Sequence, residues 1–172
     1  NQVVDHGLSL CNLPYIWGSA CFGGNSRPGT HQAERYIGAD CADLVVAAWR
    51  LAGRSARRYS GVVPMVSRRR NSGAAFLPRR KKDGKWLDNN GKTIKVGPGG
   101  LKLGAAVFWV YGPGNSKGHA ALLVKDSGPK GRANGFLDGH DLILHTSWSW
   151  PEVVRIKDIM WGYSPKLLLN PV

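Results

Sequence analysis

From Asp40 to Gly53 the chain spells out one helix whose burial the remaining residues must provide. Leu44, Val45, Ala48, Trp49 and Ala52 fall at spacings of one, three and four, the period of an apolar helix face. Asp40 is a good N-cap, because its carboxylate can accept from the open N–H groups of the first turn. Gly53 stands where a C-cap glycine is expected. The spacing thus predicts a buried helix over 40–52 that begins with Cys41, at the positive end of the helix dipole. That position favours thiolate over thiol and suits a nucleophile. The plainer reading is a small hydrophobe that happens to open a core helix.

The second half of the chain reads as strands. Ala105–Val110 is an apolar run closed by Gly112-Pro113-Gly114, His119–Val124 is a second, and Leu142–Thr146 a third. Val153–Ile156 and Tyr163–Leu169 are weaker strand candidates. A short helix is expected before Leu13, followed by the apolar run Leu13–Gly18 and a loop at Gly23–Gly29. Helices first and antiparallel strands second make an α+β fold. No internal repeat or dividing linker is visible, so residues 1–172 are expected to form one domain.

Charge is uneven. The chain carries 24 Lys and Arg against 11 Asp and Glu, a formal net charge of +13. Much of it lies between Arg54 and Lys102, where Gly84–Val96 predicts a β-hairpin turning at Asn90-Gly91. Such a surface is drawn to polyanions: nucleic acid, acidic lipid or anionic cell-wall polymer. A basic nucleic-acid-binding module is one reading of this stretch. Against it, no recognised nucleic-acid motif is present and the cations are not regularly interleaved with aromatics. No stretch approaches the roughly 20 apolar residues of a membrane span. No signal peptide is visible in a chain beginning at Asn1, as when an upstream segment has been removed. Cys11, Cys21 and Cys41 fit either a Cys11–Cys21 disulfide with Cys41 free or three reduced thiols.

A cysteine nucleophile needs a base, and the base needs a polar group to orient it. His119 opens one strand and His145 ends the next, so antiparallel pairing would bring both imidazoles to one end of a sheet. A zinc site of Cys41, His119 and His145 fits by residue type but lacks the close ligand pairs of structural sites. His6 and His31 fall in turn-rich sequence.

Pro14-Tyr15-Ile16-Trp17-Gly18 and Gly38-Ala39-Asp40-Cys41-Ala42-Asp43-Leu44-Val45 resemble two motifs of the NlpC-type cell-wall peptidases, Pro-Tyr-x-Trp-Gly-Gly and Asp-Cys-Ser-Gly-Leu-Val. Leu103–Trp109, Gly118–Val124 and Leu142–Ser147 resemble that family's Pro-Gly-Asp-Leu-Val-Phe-Phe, Gly-His-Val-Gly-Ile-Tyr-Val and Ile-His-Ala-Ser strands. The blocks run in the family's order across residues 13–147. The resemblance implies a papain-like fold, with the cysteine helix packed on an antiparallel sheet and a basic insertion at about 54–100. It implies hydrolysis of amide bonds in peptidoglycan stem peptides, often γ-D-glutamyl to diamino acid. A related possibility is an N-acetylmuramoyl-L-alanine amidase of the same architecture.

Carried over, Cys41 is the nucleophile, His119 the general base and then acid, and His145 the orienting group, with His140 a second candidate for that place. Tyr15 would shape the substrate and oxyanion region. Asp40 would cap the helix or hold a substrate ammonium, and Asp43 would add a carboxylate near the cleft. No metal or other cofactor is required. The expected partner is peptidoglycan or another anionic wall polymer, with an inhibitor or immunity protein as a further possibility and no obligate nucleic acid. The expected location is secreted or periplasmic, in a bacterial or phage setting. This chain departs from the motifs at Ala42 and Asp43, which replace Ser-Gly, and at Ala105, which replaces the strand aspartate.

Overall fold

The computed structural model describes residues 1–19, 32–54, 61–69 and 75–171. Its helices are α1 (Gln2–Ser9), α2 (Cys41–Leu51) and α3 (Val62–Arg69). The strands are β1 (Ala75–Phe76), β2 (Arg80–Lys82), β3 (Lys85–Leu87), β4 (Ala106–Tyr111), β5 (Lys117–Lys125), β6 (Leu142–His145), β7 (Glu152–Arg155) and β8 (Leu167–Leu169). Six of these strands form one antiparallel sheet in the order β1-β8-β4-β5-β6-β7, and β2 pairs with β3 separately. The fold is α+β, as the order of helical and strand patterns implies. No described helix is long and apolar enough to cross a membrane.

Both faces of the sheet are covered, which explains why β4 and β5 are apolar at successive positions instead of alternating. Phe108, Ala120, Leu122 and Leu144 pack with Leu10, Leu44, Val45 and Ala48 on the helix side. Val107, Trp109, Leu123 and Ile143 pack on the other side with Trp86, Ile94, Val96 and Leu101. Gly7 lets α1 approach closely: a Cβ there would lie 2.6 Å from Leu122 Cδ2. The indole Nε1 of Trp49 ties α2 to the entrance of β4 by donating to the Gly104 carbonyl at 2.7 Å.

The basic stretch is therefore built into the core. Its apolar residues supply Val62 and Met65 to one face of the sheet and Trp86, Ile94 and Val96 to the other. Its described cations Arg79, Arg80, Lys81, Lys82, Lys92 and Lys95 stay exposed, with the Lys81 ammonium 4.4 Å from the Trp86 ring. Trp86→Ala is expected to cost about 3–5 kcal/mol, the range for emptying a buried aromatic site. Urea unfolding measures it, and a loss below about 1 kcal/mol would detach this segment from the core.

The predicted hairpin shifts. The regular ladder turns at Asp83-Gly84, where both residues have positive φ (51° and 77°). Asn90-Gly91 does form a turn, but only a single bridge, Leu87–Thr93, closes over it. The reason is Asp88, whose carboxylate accepts from the N–H groups of Asn90 and Lys92 and takes the place of further strand pairing. The strand expected over Tyr163–Leu169 shrinks to Leu167–Leu169, because Pro165 has no N–H for a ladder.

Candidate active site

The loop before Cys41 is held by the Pro14–Trp17 run. Tyr15 bridges Ala39, Ile16 N–H donates to the Ala39 carbonyl at 3.1 Å, and Ala39 N–H returns a bond to Pro14 at 3.1 Å. Gly38 permits this approach, since a Cβ there would stand 2.3 Å from Ile16 Cδ1. Asp40 then caps α2, its Oδ1 accepting from Asp43 N–H at 2.8 Å. Capping is one of its two expected roles.

Asp43 requires a correction. Its side chain lies in the interior and not on a cleft wall, with Oδ2 accepting from Ser19 Oγ at 2.8 Å. Ser19 Oγ in turn accepts from Asp40 N–H at 2.8 Å. Burial is the main cause that pushes Asp43 up to about 7, aided by the Asp40 and Glu34 carboxylates and opposed by hydrogen bonds from Ser19 and Ala33. A carboxyl raised on folding holds its proton more tightly in the native state. Its stabilising contribution is complete below its unfolded pKa near 4 and is lost as pH rises through about 7. Urea midpoints from pH 4 to 8 should therefore show a smaller decline over that window in Asp43→Asn than in the parent. Parallel curves would refute the assignment.

Three strands bring the polar groups together at one end of the sheet. His119 Nε2 and His145 Nδ1 are 3.0 Å apart, and His145 Nε2 lies 3.0 Å from Glu152 Oε1. Both imidazoles are buried while Glu152 is exposed. Burial, with His145 second, lowers His119 to about 3, so it rests as a neutral base. Its Nε2 is engaged with His145, which leaves Nδ1 for another partner. His140 lies outside this relay, its N–H donating to Asp138 Oδ1 at 2.7 Å.

Cys41 stands beside this end of β5, packed against the helix-side cluster that includes Ala120, the residue after His119. Burial first, and the Asp40 carboxylate second, push the thiol up to about 12, against the backbone hydrogen bonds of Ala120, Ala42 and Cys41 itself. The thiolate expected from the helix dipole is thus overridden by desolvation, and the resting group is the thiol. Among the described residues no hydrogen bond joins Sγ to either imidazole. The arrangement suits a base that takes the thiol proton as attack occurs, not a preformed ion pair. Tyr15 shares the region. Burial raises it to about 12, and the charges of Cys41, Asp40 and Tyr111 add to the effect.

Comparison with family models, curated proteins and solved structures finds no match to this chain. The site has to be read from its own geometry.

Of the residues expected from sequence, Cys41, Tyr15 and Asp40 gather at the start of α2, and His119 and His145 at the adjacent sheet end. Sequence reading missed Ser19 and Glu152. Glu152 directly faces His145 in the β6–β7 register, but β7 is a weak strand pattern and gave no alignment for it. Cys11 is a free thiol, while Cys21 and His31 lie outside the described residues. Among the described residues no group of three or more His, Cys, Asp or Glu could hold a metal ion.

Proposed function

We propose that this chain is a cysteine hydrolase of papain-like, NlpC-type architecture that cleaves amide bonds in peptidoglycan stem peptides, with the γ-D-glutamyl to diamino acid bond as its target. The observation that carries the reading is the His119–His145–Glu152 relay at the end of β5, with Cys41 at the start of a helix packed against the cluster that holds Ala120. Those are the parts that cysteine acyl transfer requires: nucleophile, base and a fixed tautomer.

In the proposed reaction Sγ bonds to the scissile carbonyl carbon as its proton passes to His119. The carbonyl oxygen becomes an oxyanion, met by the N–H of Cys41 at the helix start. Collapse breaks the C–N bond, and His119 returns the proton to the departing amine. Water, deprotonated by His119, then attacks the thioester, releasing the acid and restoring the thiol. The exposed cations suit docking on an anionic wall, and a cell-wall-facing location follows from the substrate.

Mass spectrometry of muropeptides after digestion of purified sacculi tests the reading. Products cut between D-glutamate and the diamino acid are expected. Release of intact stem peptides from the glycan would make it the amidase instead. No digestion, with salt-sensitive DNA binding that survives Cys41→Ala, would favour a basic binding module.

A further inference from the structure

A band of exposed aromatic rings borders the same end of the sheet and takes no part in the relay. Trp148 is 77% exposed and Trp161 83%, with Tyr163 also open to solvent. They fall into two groups. Trp148 meets Tyr15 with centroids 5.3 Å apart, while Trp161 and Tyr163 meet Tyr111 at 6.2 and 6.3 Å. The sheet order separates them: β4 ends at Tyr111, β5 starts beside it and carries His119, and β6 ends at His145, shortly before Trp148. One group stands on the β4 side of His119 and the other follows the end of β6.

Backbone conformation sharpens the point. Trp148, Met160 and Trp161 have φ of 60°, 57° and 50°, a left-handed region that bulky side chains avoid. Strain of this kind persists where the placement of a side chain matters, and functional sites are where it collects. Here it holds two indoles outward, into solvent.

We infer that the two aromatic groups are stacking platforms for the sugar rings of a glycan strand, a substrate-side contact that rests on the stem-peptide reading above. A pyranose ring has a face of C–H bonds, apolar and slightly positive, which lies flat on the negative face of an indole or phenol. Its edges carry hydroxyl and amide groups. Along the chain around Trp148 the exposed residues are Ser147, Ser149, Trp150, Glu152 and Val153, of which the two serines and Glu152 can meet such edges. An anionic lipid surface would also take such rings, but needs them backed by Lys and Arg. Lys117 does stand opposite Tyr111, but the Trp148 side presents a carboxylate.

The test uses the full chain carrying Cys41→Ala, titrated with a β-1,4-linked N-acetylglucosamine tetramer and followed by tryptophan fluorescence and indole N–H NMR signals. Saturable binding that shifts the Trp148 and Trp161 signals is expected. Trp148→Ala and Trp161→Ala should each weaken it by about tenfold or more, with unchanged melting temperature because both rings are exposed. Absence of binding, or binding indifferent to both substitutions, overturns the inference. So does capture by phosphatidylglycerol vesicles through these tryptophans without tetramer binding. Titration needs no turnover, so a protein that binds the tetramer but leaves sacculi intact refutes the hydrolase reading alone. One that cleaves stem peptides without binding the tetramer refutes only the glycan contact.

Discussion

Replacing Cys41 by alanine is expected to reduce stem-peptide hydrolysis by about four orders of magnitude or more, the scale seen when a nucleophile is removed from a concerted site. Stability should stay within about 1 kcal/mol of the parent. The substitution removes one sulfur atom and leaves the Asp40 cap, the Ser19–Asp43 bond and the apolar face of α2 intact. What disappears is the sulfur that the proposed reaction bonds to the carbonyl carbon. Muropeptide release and urea unfolding, measured on the same preparation, check both halves. Digestion at the parent rate would remove Cys41 from the chemistry. Lost activity with lost folding would be uninformative for alanine, so Cys41→Ser, which keeps a polar atom in place, is measured alongside and should also be inactive.

The elements that read clearly in sequence are those in which local pattern and tertiary role agree. α2 shows its apolar period, its capping aspartate and its closing glycine together, and the helix runs Cys41–Leu51. β4, β5 and β6 are apolar runs between turns, so their antiparallel pairing was legible, and with it the meeting of His119 and His145. The ionisation state of Cys41 was not. A helix start argues for thiolate, but how deeply the sulfur is desolvated depends on how α2 seats against β5, which no local spacing encodes.

Ser19 and Asp43 show a second kind of limit. Ser19 stands where the first resembled motif has its second glycine, and Asp43 where the second motif has its glycine. Taken singly, each is a departure, and Asp43 looked like an added charge beside the cleft. In the fold they are one feature, a buried hydrogen bond of 2.8 Å that also fixes the Asp40 N–H. Their positions are 24 residues apart, so only the folded chain reveals that the changes answer each other.

The relay makes the remaining expectation graded. His119→Ala should lower kcat by about 10³–10⁴, because general-base transfer of the thiol proton is lost and a thiol pushed up to about 12 supplies almost no thiolate at neutral pH. Glu152 touches no reacting atom. It acts through His145, its Oε1 accepting a hydrogen bond from Nε2–H and so favouring the tautomer whose Nδ1 accepts from His119. That leaves His119 Nδ1 unprotonated, the form a base needs. Glu152→Gln should therefore lower kcat by about tenfold to a hundredfold with little change in KM. Glu152 is 62% exposed, so folding should not suffer, and Glu152→Asp should recover part of the loss. Nitrogen-15 NMR of the two imidazoles gives a readout independent of turnover: Nε2 of His145 carries the proton in the parent, and the tautomer mixture shifts in Glu152→Gln. Unchanged tautomers with unchanged kcat would reduce Glu152 to a surface ion-pair partner. A kcat loss as large as that of His119→Ala would mean that the carboxylate reaches the substrate itself.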